Sequence, residues 1–472
     1  MQRLAELLIL GCAVTAAGAT AVQPDLTIVD EGGATGDRFG TAIAHGGGFT
    51  AFGSPQADTP SLSGGRVSIR HPLWLGDEDD PWQVESGVWE TLEHADAAQG
   101  ALFGQSLAAL DQTLAVGSPG WRLTEDISTK VGGVFMYDVT QSPIGTATLE
   151  QTISPAGLSQ YDEFGHSVAL ASGTGDTRWL AVGAPGRDGD RGGVWLFSTE
   201  SDPDTWAFQT TVQPAATTAG DRFGEAVAMH DGLLVVGAPD AQDGLGAAYV
   251  YALSQATGQW GIVAEVISDD PNLDSGFGAA VSVHGDDLVI GGPGAAGHAS
   301  LWRYISTAGI VVEEAVLEPD DWTDVEGWGR SVSVEPPRLL VGGSPDTAGA
   351  GTAGFFRQID TLDFQRVAML AEGDWGFDPR HGTSVLLHGD QAWVGAPRAH
   401  VDAATSGAVG RWEVLRTPGC PGDLDFDHDA DPDDIMAIMN DWGAGDDGDL
   451  TGDGASDVQD LLMVLTHWGP CT

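Results

Sequence analysis

The feature that most constrains this chain is a short pattern that recurs seven times. The pentapeptide "GDRFG" occupies residues 36–40 and, letter for letter, residues 220–224. Looser copies place an aromatic residue or histidine before a glycine at positions 39, 103, 164, 223, 277, 328 and 381, at intervals of 51 to 64 residues. Internal repeats of this length are typical of propellers, in which each repeat forms one small sheet packed against its neighbours.

Each repeat predicts four β-strands. After the aromatic-glycine pair, segments such as "HSVALA" at 166–171 alternate apolar with small or polar residues, and a second apolar segment ends in a "GAP" or "GSP" turn. A third segment follows a glycine, as in "GVWLFS" at 193–198, and a fourth precedes the next repeat, as in "TLEQTIS" at 148–154. The array supplies this fourth segment for only six repeats. Residues 25–31, "DLTIVDE", are therefore predicted to complete the last sheet and close the ring.

The first 21 residues have the composition of an export signal. Arg3 precedes an apolar run at 7–17 that is too short to span a bilayer, and "ATA" at 19–21 is a small-x-small cleavage site. A second interpretation is acylation of Cys12, as in a bacterial lipoprotein. Either one predicts a protein that is secreted or attached to the cell surface, with its propeller over residues 22–416.

The charge of the chain excludes two classes of partner. The 69 acidic residues outnumber the 19 basic ones, which gives a formal net charge of −50. Such a surface repels nucleic acids and anionic membranes. No later segment contains 18 consecutive apolar residues, so no transmembrane segment is predicted.

The "FG" and "GAP" elements, with this spacing, resemble the FG-GAP repeats of integrin α-subunit propellers over about residues 25–416. That resemblance implies an all-β, seven-bladed β-propeller that presents a ligand-binding surface. In the family, some blades hold Ca²⁺ in a DxDxDG loop between their first two strands. Here the corresponding hairpins, such as "MHDG" at 229–232, lack the spaced oxygen ligands that calcium requires, and no propeller metal is predicted.

Several propeller residues admit two interpretations. The aromatic residues of the repeats are predicted to pack between blades, and the "RDGDR" segment at 187–191 is predicted to be a solvated turn rather than a recognition loop. Histidines recur at the predicted hairpin tips, at positions 45, 230, 284 and 388. Six tryptophans near the outer strands have sugar stacking as their alternative role: Trp82, Trp89, Trp206, Trp260, Trp322 and Trp375.

Past residue 416 the chain contains two copies of an acidic loop followed by apolar residues at helical spacing. Both loops offer oxygen ligands at the positions that an EF-hand-type calcium loop uses, and two Ca²⁺ ions are predicted as cofactors. The first loop offers Asp423, Asp425, Asp427, the carbonyl of Asp429, and Asp434. The second offers Asp449, Thr451, Asp453, the carbonyl of Ala455, and Asp460.

Two such units in about fifty residues resemble a type I dockerin, so residues 417–472 are predicted to form a small α-helical calcium-binding domain. The resemblance implies docking to a cohesin-like or cell-surface partner. His428 stands where calcium loops favour glycine, and residues 432–433 and 458–459 depart from the Ser or Thr that dockerins often use to select a cohesin. Cys420 and Cys471 bracket the domain and are predicted to form a disulfide.

Motifs for nucleophilic and metal-dependent hydrolysis are missing from the sequence: it contains no G-x-S-x-G, no H-E-x-x-H and no P-loop. We therefore expect an exported, non-catalytic binding or adhesion protein with an unknown protein or glycan ligand on the propeller. The alternative is a polysaccharide-degrading hydrolase of the glycoside hydrolase type, because dockerins often accompany such enzymes.

Overall fold

The computed structural model shows an all-β, seven-bladed propeller, which confirms the fold class predicted for the repeats. The structure describes residues 21–22, 24, 26–30, 33–34, 36–58, 63–72, 87–94, 99–122, 130–140, 146–199, 205–254, 256–268, 276–294, 297–317, 327–344, 351–360, 363–370, 380–389, 391–400, 407–413, 429–430, 435, 438–439, 458–466 and 469–470.

Each blade contains four antiparallel strands, which follow one another outward from the propeller axis in chain order except that the N-terminus supplies the outer strand of blade seven. Two strands precede the first blade, β1 (Ala21–Val22) and β2 (Leu26–Val29). Blade one contains β3 (Ile43–Gly46), β4 (Phe49–Ser54), β5 (Arg66–Pro72) and β6 (Gly87–Leu92). Blade two contains β7 (Ser106–Leu110), β8 (Thr113–Ser118), β9 (Gly133–Thr140) and β10 (Thr146–Ile153). Blade three contains β11 (Ser167–Ser172), β12 (Arg178–Gly183), β13 (Val194–Ser198) and β14 (Ala207–Val212). Blade four contains β15 (Val227–His230), β16 (Leu233–Ala238), β17 (Ala247–Leu253) and β18 (Trp260–Val266). Blade five contains β19 (Ala280–His284), β20 (Asp287–Gly292), β21 (His298–Ile305) and β22 (Ile310–Val316). Blade six contains β23 (Trp328–Glu335), β24 (Arg338–Gly343), β25 (Thr352–Asp360) and β26 (Asp363–Leu370). Blade seven contains β27 (Ser384–His388), β28 (Gln391–Ala396) and β29 (Ala408–Glu413).

The N-terminal strand closes the ring, as predicted. β2 pairs antiparallel with β29, with Leu26 opposite Arg411 and Val29 opposite Ala408, and so becomes the outer strand of blade seven. β1 was not predicted. It pairs in parallel with β26 and adds a fifth strand to the outer edge of blade six. The first strands of neighbouring blades contact one another all the way round, from β3 through β27 and back to β3.

The aromatic position of each repeat packs between two blades, which confirms its predicted role. Phe39, Phe103, Phe164, Phe223, Phe277, Trp328 and His381 are all buried. The backbone of Phe103 also pairs in parallel with Gly65, which opens the third strand of the preceding blade. A Cβ on Gly65 would overlap the Phe103 backbone, so only glycine allows this approach. At the closing seam Gly407 lies against Phe39 in the same way.

The "GAP" glycine explains the second half of the repeated pattern. Gly53 at the end of β4 lies so close to the carbonyl of Gly104 in the next blade that a side chain there would collide with it. Serine hydroxyls reinforce this contact by donating to the glycine carbonyl of the following blade at 2.8–2.9 Å, from Ser106, Ser167, Ser331 and Ser384. The pattern recurs because each copy forms half of an interblade contact.

Helix is scarce among the described residues. Two four-residue turns, α1 (Arg187–Asp190) and α2 (Ala241–Gly244), follow the "GAP" turns of blades three and four. In the C-terminal region, α3 spans Val458–Thr466, and two short strands pair antiparallel, β30 (Asp429–Ala430) and β31 (Gly469–Pro470). Ile438 and Val464 of this region are fully buried.

Candidate functional site

The aromatic-glycine turns and the "GAP" turns lie at the same end of the propeller. In blade two, for example, Ser106 at the start of β7 pairs with Gly117 at the end of β8. We call this end the FG face, and the opposite end, where hairpins join the first and second strands, the hairpin face. Loops on a rigid scaffold are where binding residues are commonly found, which makes the FG face a candidate for the binding surface.

The residue before each aromatic has a positive φ, and its chemistry varies from blade to blade. The values are 62° at Arg38, 58° at Leu102, 60° at Glu163, 55° at Arg222, 85° at Gly276, 76° at Gly327 and 54° at Arg380. A non-glycine residue at such a φ is uncommon because its Cβ approaches the following carbonyl, at a cost of about 1–2 kcal/mol. We call this the pre-aromatic position. The repeat fixes its backbone, so its side chain sets the local charge of the FG face.

Blades three and four build a cluster of charges at this position. Arg222 Nη2 lies 2.7 Å from Glu225 Oε2 and 3.6 Å from Glu163 Oε2. His166 bridges the same two carboxylates, with Nε2 3.3 Å from Glu225 and Nδ1 3.6 Å from Glu163. Asp240 Oδ2, from the "GAP" turn of blade four, lies 3.9 Å from Arg222 Nε. We call these five residues the ion cluster.

The ion cluster favours the charged forms of His166, Arg222 and Glu225. Burial alone would lower the pKa of His166, but the hydrogen bond and charge of Glu225, with the charge of Glu163, raise it. Burial would likewise raise the pKa of Glu225, yet the hydrogen bond and charge of His166, together with Arg222, lower it to about 2. The carboxylates therefore favour the protonated form of His166, and Glu225 is ionised at neutral pH.

Next to the ion cluster, α1 and α2 are left-handed turns. Asp188, Gly189 and Asp190 all have positive φ in α1, and Gln242, Asp243 and Gly244 do so in α2. Backbone hydrogen bonds close each turn; in α1 the Asp190 N–H donates to the Gly186 carbonyl at 3.2 Å and the Gly192 N–H to the Arg187 carbonyl at 2.9 Å. Consecutive left-handed residues other than glycine are costly, and backbone strain of this kind concentrates at functional sites. The "RDGDR" segment is the exposed turn that the sequence predicted, but its handedness was not foreseen.

Tyr161 is the exposed aromatic residue of this region. Its side chain is 59% exposed and its φ is 69°. Its backbone N–H donates to the Lys130 carbonyl at 2.8 Å, and its own carbonyl lies against Gly186 at the start of the blade-three turn. Neighbouring loops on both sides therefore fix the Tyr161 backbone, while the ring points to solvent.

On the hairpin face, the four tip histidines associate in two pairs. The rings of His45 and His388 lie 4.0 Å apart across the closing seam, and those of His230 and His284 lie 4.2 Å apart between blades four and five. Burial, and then the charge of His388, lowers the pKa of His45 to about 4. Burial, and then the charge of His284, lowers the pKa of His230. The repeat explains their recurrence, as predicted, but the pairing is new.

The tryptophans divide between core and surface. Trp206 is buried, which confirms packing rather than sugar stacking, and its backbone N–H and C=O form hydrogen bonds with the Gln151 side chain at 2.8 and 3.1 Å. Trp260 is half-buried, with its ring 5.4 Å from that of Trp179. Trp89 is exposed on β6. Trp82, Trp322 and Trp375 lie outside the described residues.

The structure places few of the predicted calcium ligands. The Asp429 backbone lies in β30 opposite Pro470, and Asp460 lies in α3. Predicted ligands and cysteines outside the described residues are Asp423, Asp425, Asp427, Asp434, Asp449, Thr451, Asp453, Ala455, Cys420 and Cys471. The two calcium sites and the disulfide therefore stay predictions. Cys12 and the predicted signal peptide, apart from Ala21, also lie outside the described residues.

The described part of the chain contains neither a metal-binding cluster nor a membrane-spanning helix. No group of three or more His, Cys, Asp or Glu residues there is arranged to hold a metal ion. No described helix is both long and apolar enough to cross a membrane.

Comparisons with known proteins agree with this geometry at the level of the repeat. Residues 206–251 match the FG-GAP repeat family. That segment is most of blade four and contains Arg222, Glu225 and Asp240. Among solved structures, the crystal structure of RRP9 WD40 repeats is similar, with 11% sequence identity and a TM-score of 0.48 over 82% of this chain and 96% of that one. No curated protein matches the chain in sequence. The FG-GAP match and the propeller fold suggest a binding or adhesion role.

The ion cluster was missed by reasoning from the sequence, although a signal for it exists. His166 and Glu225 each stand two residues after the aromatic of adjacent repeats, and Glu163 and Arg222 each stand one residue before it. Aligned positions of neighbouring blades face one another. Comparing charges column by column across the repeats would therefore have paired these residues.

Proposed function

We propose that this chain is an exported, non-catalytic binding protein whose ligand docks on the FG face of blades three and four. The observation that carries the proposal is the juxtaposition of a left-handed turn, α1, with the solvent-facing ring of Tyr161, whose carbonyl lies against Gly186 at the base of that turn. Tyrosine provides large contact area at low conformational cost, and a fixed backbone reduces the ordering that binding requires.

The state of the ion cluster supports binding over catalysis. A general base has to be unprotonated when it acts, whereas His166 lies between two carboxylates that raise its pKa and favour its protonated form. The cluster ties the pre-aromatic positions of blades three and four together and anchors Asp240 at the base of α2. It therefore supports a rigid presentation of the two left-handed turns.

The exposed charges indicate the class of ligand. Asp188 and Asp240 are largely exposed, and Asp190 is exposed beside them. An acidic surface with an aromatic ring suits a hydroxyl-rich or cationic ligand, such as a neutral glycan or a basic protein segment.

The C-terminal region supplies the second half of the proposal, a calcium-dependent tether of the dockerin type with a cohesin-like partner. In α3, Val464 is buried whereas Leu462 and Leu465 are exposed, and Met439 is exposed as well. Apolar side chains on both sides of a short helix support one packed face and one face offered to a partner.

The test of the propeller site is retention on insoluble cellulose, xylan and chitin and on a glycan array. We expect Tyr161→Asn to reduce retention at least tenfold, because asparagine tolerates positive φ but lacks the ring. Phe208→Thr is the matched control, since Phe208 is a 54% exposed aromatic on the outer strand of blade three. Equal retention of wild type and Tyr161→Asn would contradict the site. Release of reducing sugar from any of these polysaccharides would instead favour the hydrolase alternative.

A further inference from the structure

The only lysine in the sequence lies on the FG face, in the loop that follows the "GSP" turn of blade two. Lys130 forms an antiparallel β-bridge with Arg122, so the two residues are directly opposite each other. Residues paired in this way lie on one side of the ladder with their Cβ atoms about 4.5–5.5 Å apart, and like charges in such a pair repel. Burial, and then the charge of Arg122, lowers the pKa of Lys130. We call these two residues the basic pair.

The charged ends of the basic pair lie over two consecutive residues of the backbone. Arg122 Nη2 donates to the Gln99 carbonyl at 2.9 Å. A Cβ placed on Gly100 would lie 2.8 Å from Lys130 Nζ, so the ammonium group lies directly against that glycine. The guanidinium and the ammonium groups are therefore held beside each other, and their contacts with neutral backbone leave both positive charges in place.

The basic pair adjoins Tyr161 of the proposed binding surface. The Lys130 carbonyl accepts the Tyr161 N–H at 2.8 Å, and the Tyr161 carbonyl lies against Gly186 at the start of α1. Asp188 and Asp190 of that turn are exposed. The Tyr161 backbone therefore lies between a basic loop of blade two and an acidic turn of blade three.

The repeat shows that this difference in charge comes from the sequence and not from the fold. A backbone hydrogen bond from the next aromatic residue marks the same loop position in two blades: Phe164 to Val131 at 3.1 Å, and Phe223 to Arg191 at 3.2 Å. Lys130 and Asp190, each one residue earlier, therefore occupy equivalent positions on the two sides of Tyr161. The same place in the scaffold carries a cation in blade two and an anion in blade three.

We propose that the basic pair binds a carboxylate of the ligand that contacts Tyr161, and that this ligand is a glycan carrying an isolated uronic acid residue. The inference rests on the binding surface proposed above and names the class of its ligand. Guanidinium and ammonium groups form charge-assisted hydrogen bonds with a carboxylate, and its negative charge would relieve the repulsion between Lys130 and Arg122. The tyrosine ring offers an apolar face to an adjoining sugar.

The overall charge of the chain limits the ligand to few carboxylates. A net charge of −50 repels a polyanion. Salt screens that repulsion beyond about 8–10 Å, which leaves a single carboxylate to the two cations beside it. The same two cations repel a basic protein segment, so the basic pair favours the glycan among the ligands that the surface could accept.

The test compares two ligands that differ in one group. A xylo-oligosaccharide that carries one glucuronic acid is titrated into the full chain by calorimetry, alongside the same compound after reduction of its carboxyl group to a primary alcohol. We expect wild type to bind the acidic form at least fivefold more tightly, and Lys130→Met to bind the two forms within twofold of each other. Arg122→Gln should lower the preference in the same direction.

Two control variants separate the possible causes. Arg38→Leu removes one positive charge from the FG face in blade one, at the pre-aromatic position where blade two has Leu102, and should keep the wild-type preference. Tyr161→Asn should weaken the binding of both forms at least tenfold and leave their ratio unchanged. Loss of the ring therefore tests the proposed surface, and loss of the lysine tests its selectivity for a carboxylate.

A second measurement uses the unmutated protein. Because Lys130 is the only lysine, its acetylation by an N-hydroxysuccinimide ester, followed by mass spectrometry of its peptide, reports on this site alone. We expect a saturating concentration of the acidic oligosaccharide to slow the acetylation of Lys130 at least threefold, and the carboxyl-reduced form to slow it less than half as much.

Four results would overturn the inference. Equal binding of the two forms by wild type would do so and, if Tyr161→Asn weakened both, would leave the proposed surface intact. An equal loss of preference in Lys130→Met and Arg38→Leu would show a general effect of charge. Tighter binding of an acidic peptide than of the acidic oligosaccharide would assign the basic pair to a protein ligand. Binding of neither oligosaccharide would count against both the uronic acid and the glycan of the proposed function.

Discussion

At the residue scale, the histidine pairs of the hairpin face make the stability of the propeller depend on pH. His45 accepts or donates a 2.9 Å hydrogen bond to Thr50 while its ring lies 4.0 Å from His388, and its pKa is lowered to about 4. The unfolded chain binds a proton at this residue near pH 6.5, but the folded chain does not until about pH 4, so stability is complete above 6.5 and falls as the pH drops through that window. We expect His45→Gln to reduce the loss by up to about 1.4 kcal/mol per pH unit. Urea unfolding between pH 7 and 4 measures it, with the exposed His400→Gln as control; identical pH profiles of the wild type and His45→Gln would contradict the assignment.

At the scale of the element, the outer strand of blade seven depends on the N-terminal segment. β2 contributes the buried Ile28 and the ladder to β29, and burying one isoleucine stabilises by roughly 1.5–3 kcal/mol. A chain that begins at residue 33 lacks both β1 and β2, and we expect it to unfold at a clearly lower temperature than wild type. A chain that begins at residue 24 keeps β2 and loses only β1, and should stay close to wild type. The same melting temperature for both truncations would show that β2 does not close the ring.

The sequence predicts an element or a contact where the repeat itself determines it. It does not predict those that depend on contacts with a neighbouring blade or segment. The strand pattern and the burial of Phe103 or Phe223 follow from seven copies of one local pattern. β1 consists of two residues without periodicity, so nothing in the sequence marked it. Arg38 and Arg222 share their whole pentapeptide but differ in surroundings, because their partners come from adjoining blades, which for Arg38 include residues more than 340 positions away in the chain.

At the scale of the whole molecule, closure of the ring fixes where the charged side chains of the FG face lie. The ring holds seven equivalent pre-aromatic positions at one end, and four of them carry charged side chains: Arg38 and Arg380 on the two sides of the closing seam, and Glu163 and Arg222 in the ion cluster of blades three and four. A rigid scaffold keeps these groups apart, so one face can present two chemically different surfaces. The acidic surplus of the rest of the chain then favours cations wherever carboxylates are concentrated, as they are past residue 416.

That surplus leads to the last prediction, which concerns calcium in residues 417–472. Gly454 provides the sharp turn of the second loop, whereas His428 must adopt the same left-handed conformation in the first loop at a cost of about 1–2 kcal/mol. Calorimetric titration of the full chain in physiological salt should therefore show two unequal binding events.

We expect Asp449→Ala to abolish the tighter event and Asp423→Ala the weaker one, while His428→Gly strengthens the weaker event about tenfold, or about 1.4 kcal/mol. Asp188→Ala, which changes an exposed carboxylate of the propeller, should leave both events intact. Calcium heat that persists when Asp423 and Asp449 are both replaced would place the ions elsewhere, and a first site tighter than the second would reverse the role assigned to His428.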